Sequence, residues 1–364
     1  MFDLQSFIRE LLSILGSTRL ILDSAKKKRF ATGIKIGGGD VLAVLQPDSL
    51  LALWRLLQCC VQHDVIIIMQ AANTGVTAGS TPDGNNYDRP VVIISTLLLN
   101  QTVLLNQGSE VLAYPGATLY ELEDKLEPLH REPHSVIGSS CIGASIVGGI
   151  CNSSGGSLVN RGPAYTELTL YAQLNEHREL TLVNELGIGL GETPEQILSK
   201  LDAQDFDLSP DRPANKLASD EDYQARVRNI NAQTPSRYNA DPRRLYKSSG
   251  CAGKLAVFAV RLDTFKQSEQ SRVFYIGTHD PKQLAALRKT VLRDFKTLPE
   301  LGEYMHASCF DASDRYCKDI FLIIKKLGSH NLAKMWRLNE SLNGFFDRLR
   351  IFPDKVAERM SMTL

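Results

Sequence analysis

The stretch from Gln70 to Ser80, Gln-Ala-Ala-Asn-Thr-Gly-Val-Thr-Ala-Gly-Ser, has the residue types of an anion cradle. It follows an apolar run, Val65 to Met69, that reads as a buried strand. A strand that runs into small residues and two glycines leaves backbone N–H groups uncovered. Consecutive N–H dipoles can then converge on a phosphate with no Cβ in the way. Gly75 is expected at positive φ, where a β-branched residue would be strained. The plainer alternative is a small-residue turn with no ligand. A second stretch has the same texture. From Gly138 to Gly162 there are seven of the chain's 26 glycines, interleaved with Ile142, Ile146, Val147 and Ile150, which should bury. That pattern fits backbone packed closely against something flat or extended. It fits a tight helix–sheet junction equally well.

Other chemistries find little support. Gly37-Gly38-Gly39 and Gly187-Ile188-Gly189-Leu190-Gly191 do not complete a dinucleotide fingerprint between a strand and a helix. Neither a nucleoside-triphosphate loop nor a G-x-S-x-G elbow is present. The 41 basic and 41 acidic residues cancel, which gives no reason to expect a nucleic-acid partner. The seven cysteines are odd in number and contain no C-x-x-C pair. A reducing compartment without a disulfide framework is expected. His and Cys do not cluster along the sequence at ligand spacing, so no metal site is expected. The N-terminus lacks the basic-then-apolar pattern of a signal peptide, and none is expected.

Short strands must alternate with helices to position these loops. Strands are expected at Val41–Leu45, Val65–Met69, Val91–Ile94, Glu110–Ala113 and Gly253–Val260, and helices at Phe7–Leu15 and Leu51–Val61. Thr193-Pro194-Glu195-Gln196 reads as a capping box. Asp202 to Lys247 is poor in apolar residues and is expected to be a surface excursion, partly irregular. Val273 to Gly277 reads as a further strand. From His306 to Leu364 ten Lys/Arg face seven Asp/Glu, with Leu332, Trp336, Phe345, Phe346 and Phe352 near helical spacing. That segment is either an amphipathic helix packed on a core or a helix at a lipid surface. The fold class is α+β.

Three long motifs, QAANTGVTAGSTPDGNNYDRPVVIIS, REPHSVIGSSCIGASIVGGICNSSGGSLVNRGPAYTE and RYNADPRRLYKSSGCAGKLAVFAVRLDTF, resemble the bacterial quinone-dependent D-lactate dehydrogenases. The resemblance is nearly collinear from about Leu4 onward. It implies an FAD-binding domain of the vanillyl-alcohol-oxidase (PCMH) type over 1–263, with a core at about 37–208. The start of a cap domain would follow over 264–305, and the start of a helical membrane-binding domain over 306–364. It also implies oxidation of D-lactate to pyruvate, with electrons passed to membrane quinone. Alternatives are an inactive flavin-binding remnant, or an oxidoreductase of this fold acting on another 2-hydroxy acid.

Non-covalent FAD is implied at Ala71, Ala72, Asn73, Thr74, Gly75, Gly79 and Ser80, and further at Gly138, Ser145, Gly155 and the backbone of Val257. Ala78 stands where the family often has an acidic residue, which removes a charge beside an anion. His134 is expected to be a satisfied polar residue without chemistry. Arg244, Tyr246 and Lys247 are expected to be structural or solvated. Localisation would be peripheral, on the cytoplasmic face of the inner membrane against anionic lipid. Family members are longer, and their C-terminal region would carry much of the substrate pocket. No catalytic residue is therefore named. The isolated chain is expected to be marginally stable and to turn over little D-lactate, being either the product of an interrupted gene or one piece of a divided protein.

Overall fold

In the computed structural model the described residues are 2–34, 36–134, 143–154, 158–234, 242–251 and 253–327. Helix α1 (Leu4–Leu15) starts where the Asp3 carboxylate accepts from the Gln5 and Ser6 N–H groups. Strand β1 (Leu20–Ile21) and helix α2 (Ser24–Ala31) follow, then β2 (Ala43–Leu45). Helix α3 (Leu50–Gln62) is capped by Ser49 and leads into β3 (Ile66–Gln70). Strand β4 (Val91–Ser95) completes a sheet in the order β1-β2-β4-β3. β3 and β4 are adjacent and parallel, yet no helix lies between them. Residues 71–90 make the return as a loop, and that loop contains the candidate cradle. β3 stands at the sheet edge, so Ile66 to Met69 are half-buried rather than buried as expected.

A second sheet is antiparallel throughout, in the order β5-β6-β10-β8-β9. Its strands are β5 (Thr102–Leu105), β6 (Glu110–Ala113), β8 (Thr169–Leu174), β9 (Leu180–Asn184) and β10 (Ala256–Asp263). A two-stranded ribbon pairs β7 (Arg131–Glu132) with β11 (Phe265–Lys266). Helices α4 (Leu119–Leu126), α5 (Ile146–Cys151), α6 (Pro194–Ala203) and α7 (Tyr223–Arg228) lie between these strands. α6 opens with the expected capping box: Thr193 accepts from the Gln196 N–H and Gln196 reaches back.

The strand period of two divides the core. Ala43, Leu45, Val92 and Ile94 face a cluster with Leu53, Trp54 and Leu57 of α3, Leu11 of α1, Leu198 of α6 and Phe258 of the second sheet. Val44 and Ile93 face the other way, onto Phe30 of α2. The far side of the second sheet buries Val111, Val257 and Val260 under α4 and α5.

Two expectations fail. Residues 202–247 are not wholly superficial: Ala218, Asp220 and Tyr223 are buried, and Asp220 accepts from Arg226 and from Arg244 at 2.7 Å. Arg244 is thus structural, as expected. Val273 to Gly277 forms no strand. Val273, Phe274, Tyr275 and Ile276 are exposed and pair with no strand among the described residues. Helices α8 (Pro281–Asp294), α9 (Ala307–Tyr316) and α10 (Lys318–Leu327) complete the described chain, and α8 and α9 bury none of their residues.

Candidate functional site

The loop after β3 is held by its own polar side chains. Gln70, 3% exposed, donates to the Phe30 and Ser80 carbonyls at 2.7 Å each. Asn73 donates to the Thr32 carbonyl at 2.9 Å and accepts from the Ser80 hydroxyl at 2.9 Å. These bonds pin both ends of the loop to each other and to the end of α2. The left-handed positions are Asn73 (φ 52°) and Ala78 (φ 60°), not Gly75 as expected. Asn tolerates that region because its short amide bonds locally; Ala carries a strain there of about 1–2 kcal/mol. At Gly75 a Cβ would meet no atom of the described residues within 4 Å.

Within this frame, no backbone N–H from Ala71 to Ser80 donates a hydrogen bond to another described residue. Residues 71–80 are half-buried or exposed, so these N–H groups are open to solvent or to a ligand. An unpaired run on a pinned loop, with two positions in left-handed backbone, has the chemistry of an anion nest. The donor set fits a diphosphate, which is what FAD would present there.

The second glycine segment comes to the same place. A Cβ on Gly79 would lie 3.9 Å from Oδ1 of Asn152, just past the end of α5. Ser145 begins α5 and is 6% exposed; its hydroxyl accepts from the Gly148 N–H at 3.2 Å. That hydroxyl therefore already caps a helix. Val257 packs its side chain beneath α5 with Ile146, Val147 and Ile150, and the ladder shifts register between Val257 and Ala259. Ala71 to Ser80, Ser145 and Val257 are thus linked through α5. Gly138 and Gly155 lie outside the described residues.

His134 departs from expectation. It is 3% exposed, and its Nδ1 has no hydrogen-bond partner among the described residues. Burial, with the nearby Arg161 charge, brings its pKa down to about 4, so the ring is neutral. Arg161 is itself buried. It donates to the Pro133 carbonyl at 2.9 Å and pairs with Glu132 and, at 3.0 Å, with Glu300.

Sequence reasoning missed a second buried network. Arg261, wholly buried in β10, donates to Glu110 at 2.6 Å. Arg212 reaches the other Glu110 oxygen at 2.7 Å and also pairs with Asp263. A charged residue inside the apolar run of β10 was the available signal.

With this geometry in place, the chain can be set beside known proteins. It is 56% identical over 98% of its length to the quinone-dependent D-lactate dehydrogenase of Escherichia coli (strain K12). It is 49% identical over 100% of its length to the enzyme of that name from Haemophilus influenzae. By sequence the chain is similar to enzymes named quinone-dependent D-lactate dehydrogenase. It spans 62% and 64% of the length of those two relatives. A family profile described as "D-lactate dehydrogenase, membrane binding" matches residues 273–364. That match begins inside the segment expected to start the cap. Among the described residues no helix is long and apolar enough to cross a membrane. A solved alkyldihydroxyacetonephosphate synthase overlays 72% of this chain and 40% of its own, at 12% identity and a TM-score of 0.48. An overlap of that size carries no weight, and the fold rests on the strands described above.

Proposed function

We propose that this chain is the flavin-binding part of a respiratory D-lactate dehydrogenase. It would bind FAD non-covalently and serve the oxidation of D-lactate to pyruvate, with electrons passed to membrane quinone. The observation that carries the reading is the run of N–H groups from Ala71 to Ser80 that has no acceptor among the described residues, abutting α5 at Asn152. The curated relatives' names supply the substrate and the acceptor.

In this reading the Ala71–Ser80 backbone holds the pyrophosphate, with Thr74 and Gly75 at its open centre. Gln70, Asn73 and Ser80 position that backbone through their mutual bonds. Ser145 fixes the start of α5, and Val257 supports α5 from below. Gly138 and Gly155 would add backbone contacts. FAD would supply the acceptor for the hydride on C2 of the hydroxy acid. The division into 1–263, 264–305 and 306–364 is part of the proposal. So is peripheral attachment of the last segment to anionic lipid on the cytoplasmic face, through basic side chains such as Lys325 and Lys326.

The test is reconstitution. Purified chain is incubated with FAD, freed of excess, and precipitated with acid. The reading expects yellow protein that yields its flavin to the supernatant. Colourless protein after incubation would contradict FAD binding, and flavin that stays with the pellet would contradict non-covalent attachment. Co-sedimentation with vesicles checks the lipid contact: more chain should pellet with anionic than with neutral vesicles, and less as salt rises.

A further inference from the structure

The packing of α1 on α3 brings Glu10, distant in sequence, to Cys59 and His63, a pair not counted as ligands from the sequence alone. Cys59 and His63 are four residues apart at the end of α3 and so share one face. Glu10 comes from α1. Nε2 of His63 lies 3.1 Å from one Glu10 oxygen, and Sγ of Cys59 lies 3.5 Å from the other. The three ligand atoms all fall within 4.8 Å of one another. We propose that Glu10, Cys59 and His63 form a binding site for a single Zn²⁺-class ion that staples α1 to α3.

The spacing fits. In a tetrahedral zinc site with Zn–N and Zn–O near 2.0–2.1 Å and Zn–S near 2.3 Å, the N···O edge is about 3.3 Å and the S···O edge about 3.5 Å. The observed 3.1 and 3.5 Å match these edges in length but run to different Glu10 oxygens, so the half-exposed carboxylate must turn one oxygen toward both ligands when the ion binds. The ligand set selects the metal class: a thiolate and an imidazole suit zinc, whereas magnesium and calcium prefer oxygen. One thiolate and one carboxylate also neutralise a dication. The Cys59 proton leaves to solvent on binding.

The site is partly pre-formed. Cys59 is 4% exposed, and the His63 ring lies against Phe7, with centroids 5.1 Å apart. The His63 backbone N–H donates to the Cys59 carbonyl at 3.0 Å, which fixes the last turn of α3. Glu10 is the half-exposed member, so the fourth position opens to water on its side. The place is distinct from the flavin loop. His63 precedes β3, whereas the cradle begins at the strand's other end, after Gln70. The ion would therefore be structural, fixing the N-terminal helix, with no part in hydride transfer.

The same distances describe a Glu10 carboxylate accepting from a thiol and an imidazole, so the experiment must separate the two. The full 364-residue chain is used, carrying Cys309→Ser and Cys317→Ser to remove the thiols exposed among the described residues. It is freed of metal with a chelator and titrated with Co²⁺ and then Zn²⁺. The proposal expects one equivalent of Co²⁺ to give a near-ultraviolet thiolate-to-cobalt band, which Zn²⁺ bleaches. Cys59→Ser should abolish that band. His63→Gln and Glu10→Gln should weaken Zn²⁺ binding at least about tenfold, since even a lost outer-shell partner costs roughly 10–100-fold. Zn²⁺ should raise the melting temperature of the parent but not of these variants. Absence of the band, or a band unchanged in Cys59→Ser, overturns the proposal. Should Cys59→Ser lose its far-ultraviolet circular dichroism, the half-exposed Glu10→Gln decides: unchanged Zn²⁺ affinity there overturns it equally.

Discussion

β10 and the run from Val273 to Ile276 are both short apolar segments, and they have opposite fates. β10 sits between β6 and β8, and residues 257–262 are buried. Val273, Phe274, Tyr275 and Ile276 are 77, 78, 97 and 62% exposed. Composition does not separate them. β10 finds two unpaired strand edges and two helices to cover its far face, whereas the later run finds neither among the described residues. A strand is a property of a pair of edges, so apolar content licenses burial without assigning it.

The contrast can be broken most sharply at the two phenylalanines. Phe258→Ala removes a fully buried ring and should cost about 3–5 kcal/mol in urea unfolding. Phe274→Ala should change stability by less than about 0.5 kcal/mol. Equal effects would mean that the exposed run packs in solution.

The polar side of the same contrast is pH-dependent. Burial would raise the Glu110 pKa, but hydrogen bonds from Arg261 and Arg212 outweigh it and hold the carboxyl below its usual range. A depressed acid contributes stability that is present above its unfolded pKa and lost as pH falls through the folded one. Glu110→Gln should therefore flatten the acid limb of the stability profile. His134 acts in a higher window. Its folded pKa of about 4 lies below the ordinary histidine value. The unfolded chain takes up that proton first, so stability falls from about pH 6.5 down to about pH 4, by roughly 3 kcal/mol. His134→Gln should remove that slope and leave the Glu110 limb intact.

Arg228 joins the buried body to the exposed arm. It donates to the carbonyls of Leu292, Phe295 and Lys296 at 3.0, 2.8 and 2.9 Å. Arg228→Ala should speed amide exchange in α8 while leaving β10 protected. A small gain in stability is expected at Ala78. Its φ of 60° favours glycine, so Ala78→Gly should stabilise the chain by up to about 1 kcal/mol.

Much of this was legible in the sequence. β6 occupies the expected Glu110 to Ala113, and the Thr193 capping box forms as read. The strand–loop junction at Gln70 is also where it was expected. Local pattern fixes such features because period and cap chemistry act over a few residues. What failed depends on distant neighbours. A left-handed position in the loop falls on Asn73, whose side chain is tied to Thr32 and Ser80, and not on Gly75. The burial of His134 beside Arg161 and the pairing of Arg261 with Glu110 are set by chain segments that only the fold brings near. The same holds for Glu10 beside Cys59 and His63.

The central claim is that the loop after β3 holds FAD through its backbone. Gly75→Val tests it most directly. Gly75 is not in left-handed backbone, and a Cβ there meets no atom of the described residues within 4 Å. The variant should therefore fold as the parent does, and any loss of flavin reflects the ligand's space being filled. Bound flavin per chain is measured after FAD reconstitution and gel filtration. The account predicts about one flavin in the parent and essentially none in Gly75→Val at equal melting temperature. Equal flavin content in the two proteins would contradict it.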